Sequence, residues 1–379
     1  TRCKVCSTTP EKRATLHWYL DLPKLRDESF GAWFRAHPWK PNVAAFIGNL
    51  LDDLAPRPIT RDMSWGIPVP EDRAGGEQGK VLYVWFDAPI GYVSFTQEWA
   101  RKIGRPDAWK DYWQASDTRL VHFIGKDNIS FHCVVFPAML LGVKQGYVLP
   151  WHVPANEFYN LQGGKFSTSE KRTIPLAHLF ARDDADATRL YLLPSAPETA
   201  DSEWRWQDFQ ACVNASLADT MGNLATRVLR FLDKNFEGRI PALDPDHAPA
   251  LDRAILEECG PFGDPAEHVR EFRFRRAAEQ LVQNATVANV FVDRTAPWAL
   301  RKTDPALAAS ALNTACEWLG WLARWMAPMM PGKAQALWTM LGQEGAVAAQ
   351  PWPGTPKAGT WRSLKSGRKL GEVTGLFTK

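Results

Sequence analysis

Lys165-Phe166-Ser167-Thr168-Ser169 is the stretch best equipped for chemistry in this chain. It follows Gly163-Gly164 and runs on into Glu170, Lys171 and Arg172. The glycines free the backbone, and N–H groups, hydroxyls and a cation then sit together, as a polyphosphate-binding loop requires. A solvated turn that happens to carry a lysine has the same composition, and motifs this short also match by chance.

A second set of residues lies where two apolar runs end. Val81–Phe86 and Arg119–Ile124 read as strands buried on both faces of a parallel sheet. Asp87 follows the first, and Gly125-Lys126-Asp127 follows the second. In open α/β sheets ligands bind at the carboxyl ends of strands, so Trp85, Asp87, Ala88, Tyr92, Gly125, Lys126, Asp127 and His132 are expected around one crevice. Aromatic residues at such spacing are more often core, which is the plain alternative for Trp85 and Phe136, as a satisfied structural imidazole is for His132. Asp127 also suits a helix N-cap. Cys3-Lys4-Val5-Cys6 is half of a zinc knuckle, a redox pair, or two idle thiols. No Ser-His-Asp or Cys-His arrangement is visible.

These groups need a framework. At 379 residues the chain should form two or three domains, and its 45% hydrophobic and 23% charged content is ordinary for a globular protein. A net charge of +3 leaves any anionic partner to local patches. No apolar run is long enough for a membrane span, and the opening residues do not read as a signal peptide. Scattered Cys133, Cys212, Cys259 and Cys316 argue for reduced thiols in a cytoplasmic protein. His17–Leu22 reads as a strand, Asn42–Leu54 as a helix with Asn42 as N-cap, and 73–80 as a Gly-rich hairpin tip. Beyond about residue 205 helices take over. Phe209 to Phe231, Phe274 to Ala288 and Leu312 to Met326 each repeat apolar residues every three or four positions. The third starts after Asp304-Pro305, and Pro328 and Pro331 end it. From Pro351 the chain should run extended over the surface.

In order, the sequence carries Thr60-Arg61-Asp62 with Trp65-Gly66, the run Tyr83 to Tyr92, His122 to Asp127 with Phe131-His132, and the Lys165–Ser169 loop. Asn223 to Arg227, Ala296-Pro297-Trp298, and Lys369-Leu370-Gly371 with Leu376-Phe377 follow. In this order the chain resembles the methionyl-tRNA synthetases, a family of class I aminoacyl-tRNA synthetases. The resemblance implies an α/β fold: the second half of a Rossmann-like parallel-sheet catalytic domain, then an all-α anticodon-binding helical bundle. It places a connective, zinc-knuckle remnant at 1–58, the catalytic part at 59–205, the bundle at 206–350 and an extended tail at 351–379. The family's HIGH motif is not in this sequence; its place, with that of a second knuckle, would be upstream of Thr1. The family's loop also has a second lysine where this chain has Thr168, and Lys171 or Arg172 is the candidate substitute.

The implied activity is methionine–tRNA ligation. Lys165, Ser167 and Ser169 are the implied catalytic loop residues. Trp85, Ala88, Pro89, Tyr92, His132 and Phe136 are implied for the methionine side chain, Asp127 for the ammonium or the ribose hydroxyls, and Arg61 for the carboxylate side. Gly125 and Lys126 join Lys165 at ATP, which brings Mg²⁺. Asn223, Arg227 and Trp298 are implied for the anticodon of tRNA(Met), and Cys3 and Cys6 for Zn²⁺. Arg270, Arg273, Arg275 and Arg276 read as a solvated basic face, with contact to tRNA phosphates as the alternative. Two rival functions stay open: a paralogue that adenylates another amino acid for a non-tRNA acceptor, and a non-catalytic tRNA-binding protein.

Overall fold

The computed structural model describes residues 2–3, 7–12, 14–70, 79–182 and 185–377. Cys6 and most of the 73–80 hairpin tip lie outside the described residues. The chain divides into two compact units, Thr1–Glu157 and Phe158–Lys379.

In the first unit the strands come in pairs. β1 (Tyr19–Leu20) and β2 (Arg57–Pro58) are antiparallel, as are β3 (Thr60–Asp62) and β4 (Lys80–Leu82). β5 (Leu120–Val121) runs parallel to β7 (Pro150–His152), and β6 (Ile124–Gly125) runs parallel to β8 (Ala155–Asn156). Parallel strands need a long crossover, and here it is helical. A wide turn, Phe131–Val135, leads into Phe136–Gly142. Helix α1 (Pro41–Asp52) buries Val43, Ile47 and Leu51, four residues apart, against Ile129, Cys133, Val134 and Ala138. A smaller core joins Val93 of α2 (Gly91–Lys102) to Trp113, Phe136 and Leu140.

Several local expectations are corrected. Val81–Phe86 is not a sheet-core strand: only Lys80–Leu82 pairs, antiparallel, and Val84–Asp87 is a helical turn whose Val84 and Trp85 face outward. That apolar run serves a surface hollow instead of a sheet. Arg119–Ile124 does pair in parallel, but His122-Phe123 divides it, with His122 buried and Phe123 exposed. The strand expected over His17–Leu22 stops at Leu20, because Asp21 accepts from the Lys24 N–H and starts a short helix at Leu22. Asn42 is not the N-cap of α1; Lys40 is, and Pro41 fills the first turn. The Asn42 amide donates instead to the Ala155 carbonyl and to Glu157.

The second unit opens with β9 (Tyr159–Leu161) and β10 (Gly164–Lys165), antiparallel, with β11 (Ser202–Trp204) parallel to β9. Helices follow. Trp206–Cys212, the wider-turned Val213–Gly222 and α3 (Asn223–Asn235) continue one another. The longest are α4 (Phe274–Thr295) and α5, which is broken off from the short Pro297–Thr303 helix by Asp304 and spans Pro305–Met326. Asp304 accepts from the Leu307 N–H at 2.9 Å, the N-cap expected there. α5 is apolar nearly all round and lies inside the bundle.

The tail from Pro351 has no helix or strand among its described residues, but it does not simply cover the surface. Trp361, Leu370 and Leu376 are buried in the bundle core. Asp252 receives the Trp361 indole N–H at 2.9 Å and the Arg362 guanidinium at 2.6 Å, and Glu317 accepts the N–H groups of Ser363 and Leu364 at 2.8 Å each. Buried polar groups therefore fasten the tail. No helix among the described residues is long and apolar enough to cross a membrane.

Candidate active site

In the first unit a cavity of about 350 Å³ is lined by Trp85, Ala88, Pro89 and Tyr92 on one side and by Phe123 to Gly125, Asn128, Phe131 and His132 on the other. The helical turn Val84–Asp87 and the tight Ala88–Ile90 turn supply the first side. The end of β6 and the Lys126–Asn128 turn supply the second. Eight of the residues singled out from the sequence fall at or beside this hollow: Trp85, Ala88, Pro89, Tyr92, Gly125, His132, and the neighbouring Lys126 and Asp127. Trp85 is 47% exposed and tilts against Phe131, ring centroids 5.6 Å apart.

The polar geometry centres on His132. Its Nδ1 lies 2.9 Å from the Asn128 carbonyl and its Nε2 lies 3.0 Å from the Tyr92 hydroxyl. A carbonyl only accepts, so Nδ1 carries the proton and Nε2 accepts from Tyr92. Burial holds the His132 pKa below its ordinary value, which keeps this neutral tautomer. His122 stands behind the pair, 5.2 Å from the Tyr92 ring and 5.1 Å from His132. Burial, with His132 adding to it, pushes its pKa down to about 4. Its Nε2 is buried without a hydrogen-bond partner. Phe136 is wholly buried, 6.1 Å from Tyr92, and backs the hollow without lining it.

Arg61 stands apart from this hollow, whereas Lys126 and Asp127 adjoin it. The Arg61 guanidinium lies 3.8 Å over the Tyr83 ring and donates to the carbonyls of Pro58 and Thr60. It lines a smaller hollow that shares the Phe131 wall. Lys126 is held by Glu157 at 2.7 Å. Asp127 is exposed just past the carboxyl end of β6, inside a turn whose N-cap is Gly125.

In the second unit the Lys165 ammonium sits 4.7 Å over the Phe158 ring, at the end of β10. The loop after it is a closed turn. Ser167 and Arg172 exchange both backbone hydrogen bonds, at 3.0 and 2.8 Å, and Lys171 adopts φ +55°. The Ser167 hydroxyl contacts that of Ser169 at 3.1 Å and accepts from the Glu170 N–H. Ser169 is thus a turn residue. The Arg172 guanidinium folds back onto Gly164, where a Cβ would collide with it.

Farther along, Arg227 lies 4.7 Å over the Trp298 ring and binds Asp293 at 2.6 Å. Asn223 is exposed one helical turn before Arg227. In the basic run, Arg273 pairs with Glu271 and Arg276 with Glu279, as on a solvated face. Cys3 is the described half of its pair. Among the described residues no group of three or more His, Cys, Asp or Glu could hold a metal ion.

Sequence reasoning missed Asn128, Glu157 and Asp293, and Phe131 entered only within a quoted run. Asn128 acts through a backbone carbonyl, and Glu157 and Asp293 act across 31 and 66 residues of separation, so no local pattern marks them. His122 entered only as part of a quoted run. Its signal was a histidine within an otherwise apolar stretch.

Comparisons with known proteins bear on both units. Residues 1–229 match the family described as tRNA synthetases class I (M), and residues 262–379 match the anticodon binding domain of methionyl tRNA ligase. The methionine–tRNA ligase of Salinibacter ruber is 43% identical over 90% of this chain and 49% of its own length. That of Chlorobaculum tepidum is 39% identical over 100% of this chain and 55% of its own. The chain thus spans about half the length of the curated relatives it matches. Among solved structures, the Mycobacterium tuberculosis methionyl-tRNA synthetase in complex with methionyl-adenylate is similar over 100% of this chain and 72% of its own, with a TM-score of 0.79 and 27% identity. Its apo form is similar with a TM-score of 0.74.

Proposed function

Because the chain belongs to the class I tRNA synthetases (M), we propose that the protein carrying it is a methionine–tRNA ligase. Its substrates are ATP with Mg²⁺, L-methionine and tRNA(Met), and it works in the cytoplasm. The observation that carries this reading is the aromatic hollow, in which the Tyr92 O–H is already directed at His132. What the hollow offers an entering side chain is the Trp85 indole, the Phe131 and Tyr92 rings, and the Ala88-Pro89 wall. That surface suits an unbranched thioether, whose contacts with aromatic rings contribute about 0.3–1.5 kcal/mol each.

In this reading the methionine carboxylate oxygen attacks the α-phosphorus of ATP, and the bond to the pyrophosphate oxygen breaks. The terminal ribose hydroxyl of tRNA then attacks the activated carbonyl, and AMP leaves. No protein nucleophile is needed. Such displacement depends on positioning and charge stabilisation. Lys165 carries the phosphate charge, and Arg172 takes the part of the lysine that Thr168 replaces. Asp127 and Gly125 serve the nucleoside side. Asn223, Arg227 and Trp298 read the anticodon, with a base stacked on the indole. No step runs through Cys3 and Cys6. Thr168 favours the second reading, adenylation for a non-tRNA acceptor; the Arg227–Trp298 corner weighs against it.

The test is Trp298→Ala. Base–aromatic stacking contributes about 1–3 kcal/mol, so aminoacylation kcat/KM should fall roughly 5- to 150-fold while methionyl-adenylate formation stays intact. Equal loss in both assays, or in neither, would count against the reading.

A further inference from the structure

The second unit contains a cavity of about 390 Å³ made of none of the residues assigned above. Ala266 and Val269 come to it from the short Pro265–Arg270 helix, Met329 from the turn after α5, and Trp352 from the start of the tail. Asp264 fastens two of these walls to each other. It accepts from the Ala266 N–H and from the Trp352 indole N–H, each at 2.9 Å. With its N–H engaged there, Trp352 offers the hollow an apolar ring. Val269 and Trp352 are exposed although apolar.

Arg324, near the end of α5, is the one charged residue that lines this hollow. Its side chain is held in place. Nε donates to the Gly320 carbonyl at 3.3 Å, and the guanidinium lies 4.9 Å over the Trp321 ring. The two terminal nitrogens take no hydrogen bond or ion pair from the described residues. Glu317, two turns earlier, acts on Arg324 only through space, and its oxygens accept the Ser363 and Leu364 N–H groups. Arg270 and Arg275 form no ion pair either, but they are exposed, so water solvates their charge. Arg324 is half-buried, and burial holds its pKa below the ordinary value. A guanidinium stays protonated nonetheless, so this charge is short of both water and counter-ion.

We propose that this hollow binds a small amphipathic monocarboxylate. The two terminal nitrogens of Arg324 receive the carboxylate, and the apolar body lies among Val269, Met329 and Trp352. The planar fork of a guanidinium matches a carboxylate bidentately, and one such cation with no second in the lining suits a single negative charge. A cavity of this size, apolar with few polar groups, is of the kind that takes small molecules. It serves a peptide poorly. Besides Arg324 the lining offers one polar side chain, the Gln350 amide, to a peptide's own N–H and C=O groups.

Equilibrium dialysis of the full chain against labelled phenylbutyrate, with phenylbutanol and acetate as competitors, tests the site. The acid should bind saturably, one molecule per chain. Each competitor should be weaker by roughly tenfold or more, because the alcohol lacks the charge and acetate lacks the apolar body. Arg324→Gln should weaken the acid roughly 10- to 150-fold, as for loss of hydrogen bonds to a charged group, and leave the alcohol unchanged. Ala348→Trp, at an exposed lining position, should block both. Absence of saturable binding, an alcohol as tight as the acid, or acid binding that survives Arg324→Gln would overturn the proposal. The first two outcomes are read on the unaltered chain, so they do not depend on a variant folding. A short peptide ending in a Phe carboxylate that displaces the acid at lower concentration would overturn the small-acid assignment in favour of a chain terminus.

Discussion

The Tyr92 hydroxyl donates to Nε2 of His132 across 3.0 Å, and the opposite nitrogen of that ring is fixed by the Asn128 carbonyl. One backbone carbonyl therefore decides which way a phenol in the cavity wall points. Tyr92→Phe would leave the buried Nε2 without its donor, a cost of about 1–3 kcal/mol. KM for methionine in ATP–pyrophosphate exchange should then rise roughly 5- to 150-fold, with a smaller change in kcat. A KM that does not move would remove this pair from the pocket.

His122 predicts a pH dependence of stability. An unfolded imidazole titrates near 6.5, whereas burial brings His122 down to about 4. Between those values the unfolded chain binds more protons than the folded one, so stability falls as pH drops from about 6.5 to 4 and is fully present above 6.5. His132 faces it and shifts in the same direction. His122→Phe keeps the ring and removes the titration, and should reduce the loss between pH 7 and pH 4 by on the order of 3 kcal/mol. Urea melts of both proteins at the two pH values would show it; parallel losses would refute it.

Arg172 folds back onto Gly164, the residue before Lys165, while Lys171 only turns the loop at φ +55°. Adenylate formation should therefore fall on the order of 10²-fold in Lys165→Ala and in Arg172→Ala, as for loss of a preorganised charge-stabilising group. Lys171→Ala should change it little, and Lys171→Gly should be tolerated because glycine accepts that φ. Single-turnover adenylation decides; a silent Arg172→Ala would end the idea that it replaces the second lysine.

Asp252 fastens the tail by binding both the Trp361 indole and the Arg362 guanidinium, and it is almost wholly buried. Removing one partner of a buried pair costs roughly 3–5 kcal/mol, so Asp252→Ala should lower the Tm of the second unit by on the order of 10 °C. Calorimetry would register it, and a shift below about 2 °C would mean the tail is held by its apolar anchors alone.

What could be read in advance follows physical range. The Phe209 to Phe231, Phe274 to Ala288 and Leu312 to Met326 helices were legible because their periodicity is local and the core they bury is large. The Asp304 cap was legible for the same reason. Val81–Phe86 misled because an apolar run lining a hollow looks like one inside a sheet. The tail misled because three buried side chains among many prolines and glycines have no period. The cavity residues could be named through order and resemblance, but their hydrogen bonds could not. Those depend on a carbonyl at Asn128 and on acids such as Asp293, set by folding and not by spacing.

Amino-acid-dependent ATP–pyrophosphate exchange, run with a panel of amino acids on the protein that carries this sequence, tests the central claim most directly. Methionine should drive exchange, with side chains that lack the thioether falling well behind. Exchange driven by another amino acid, or none with methionine, would contradict the account.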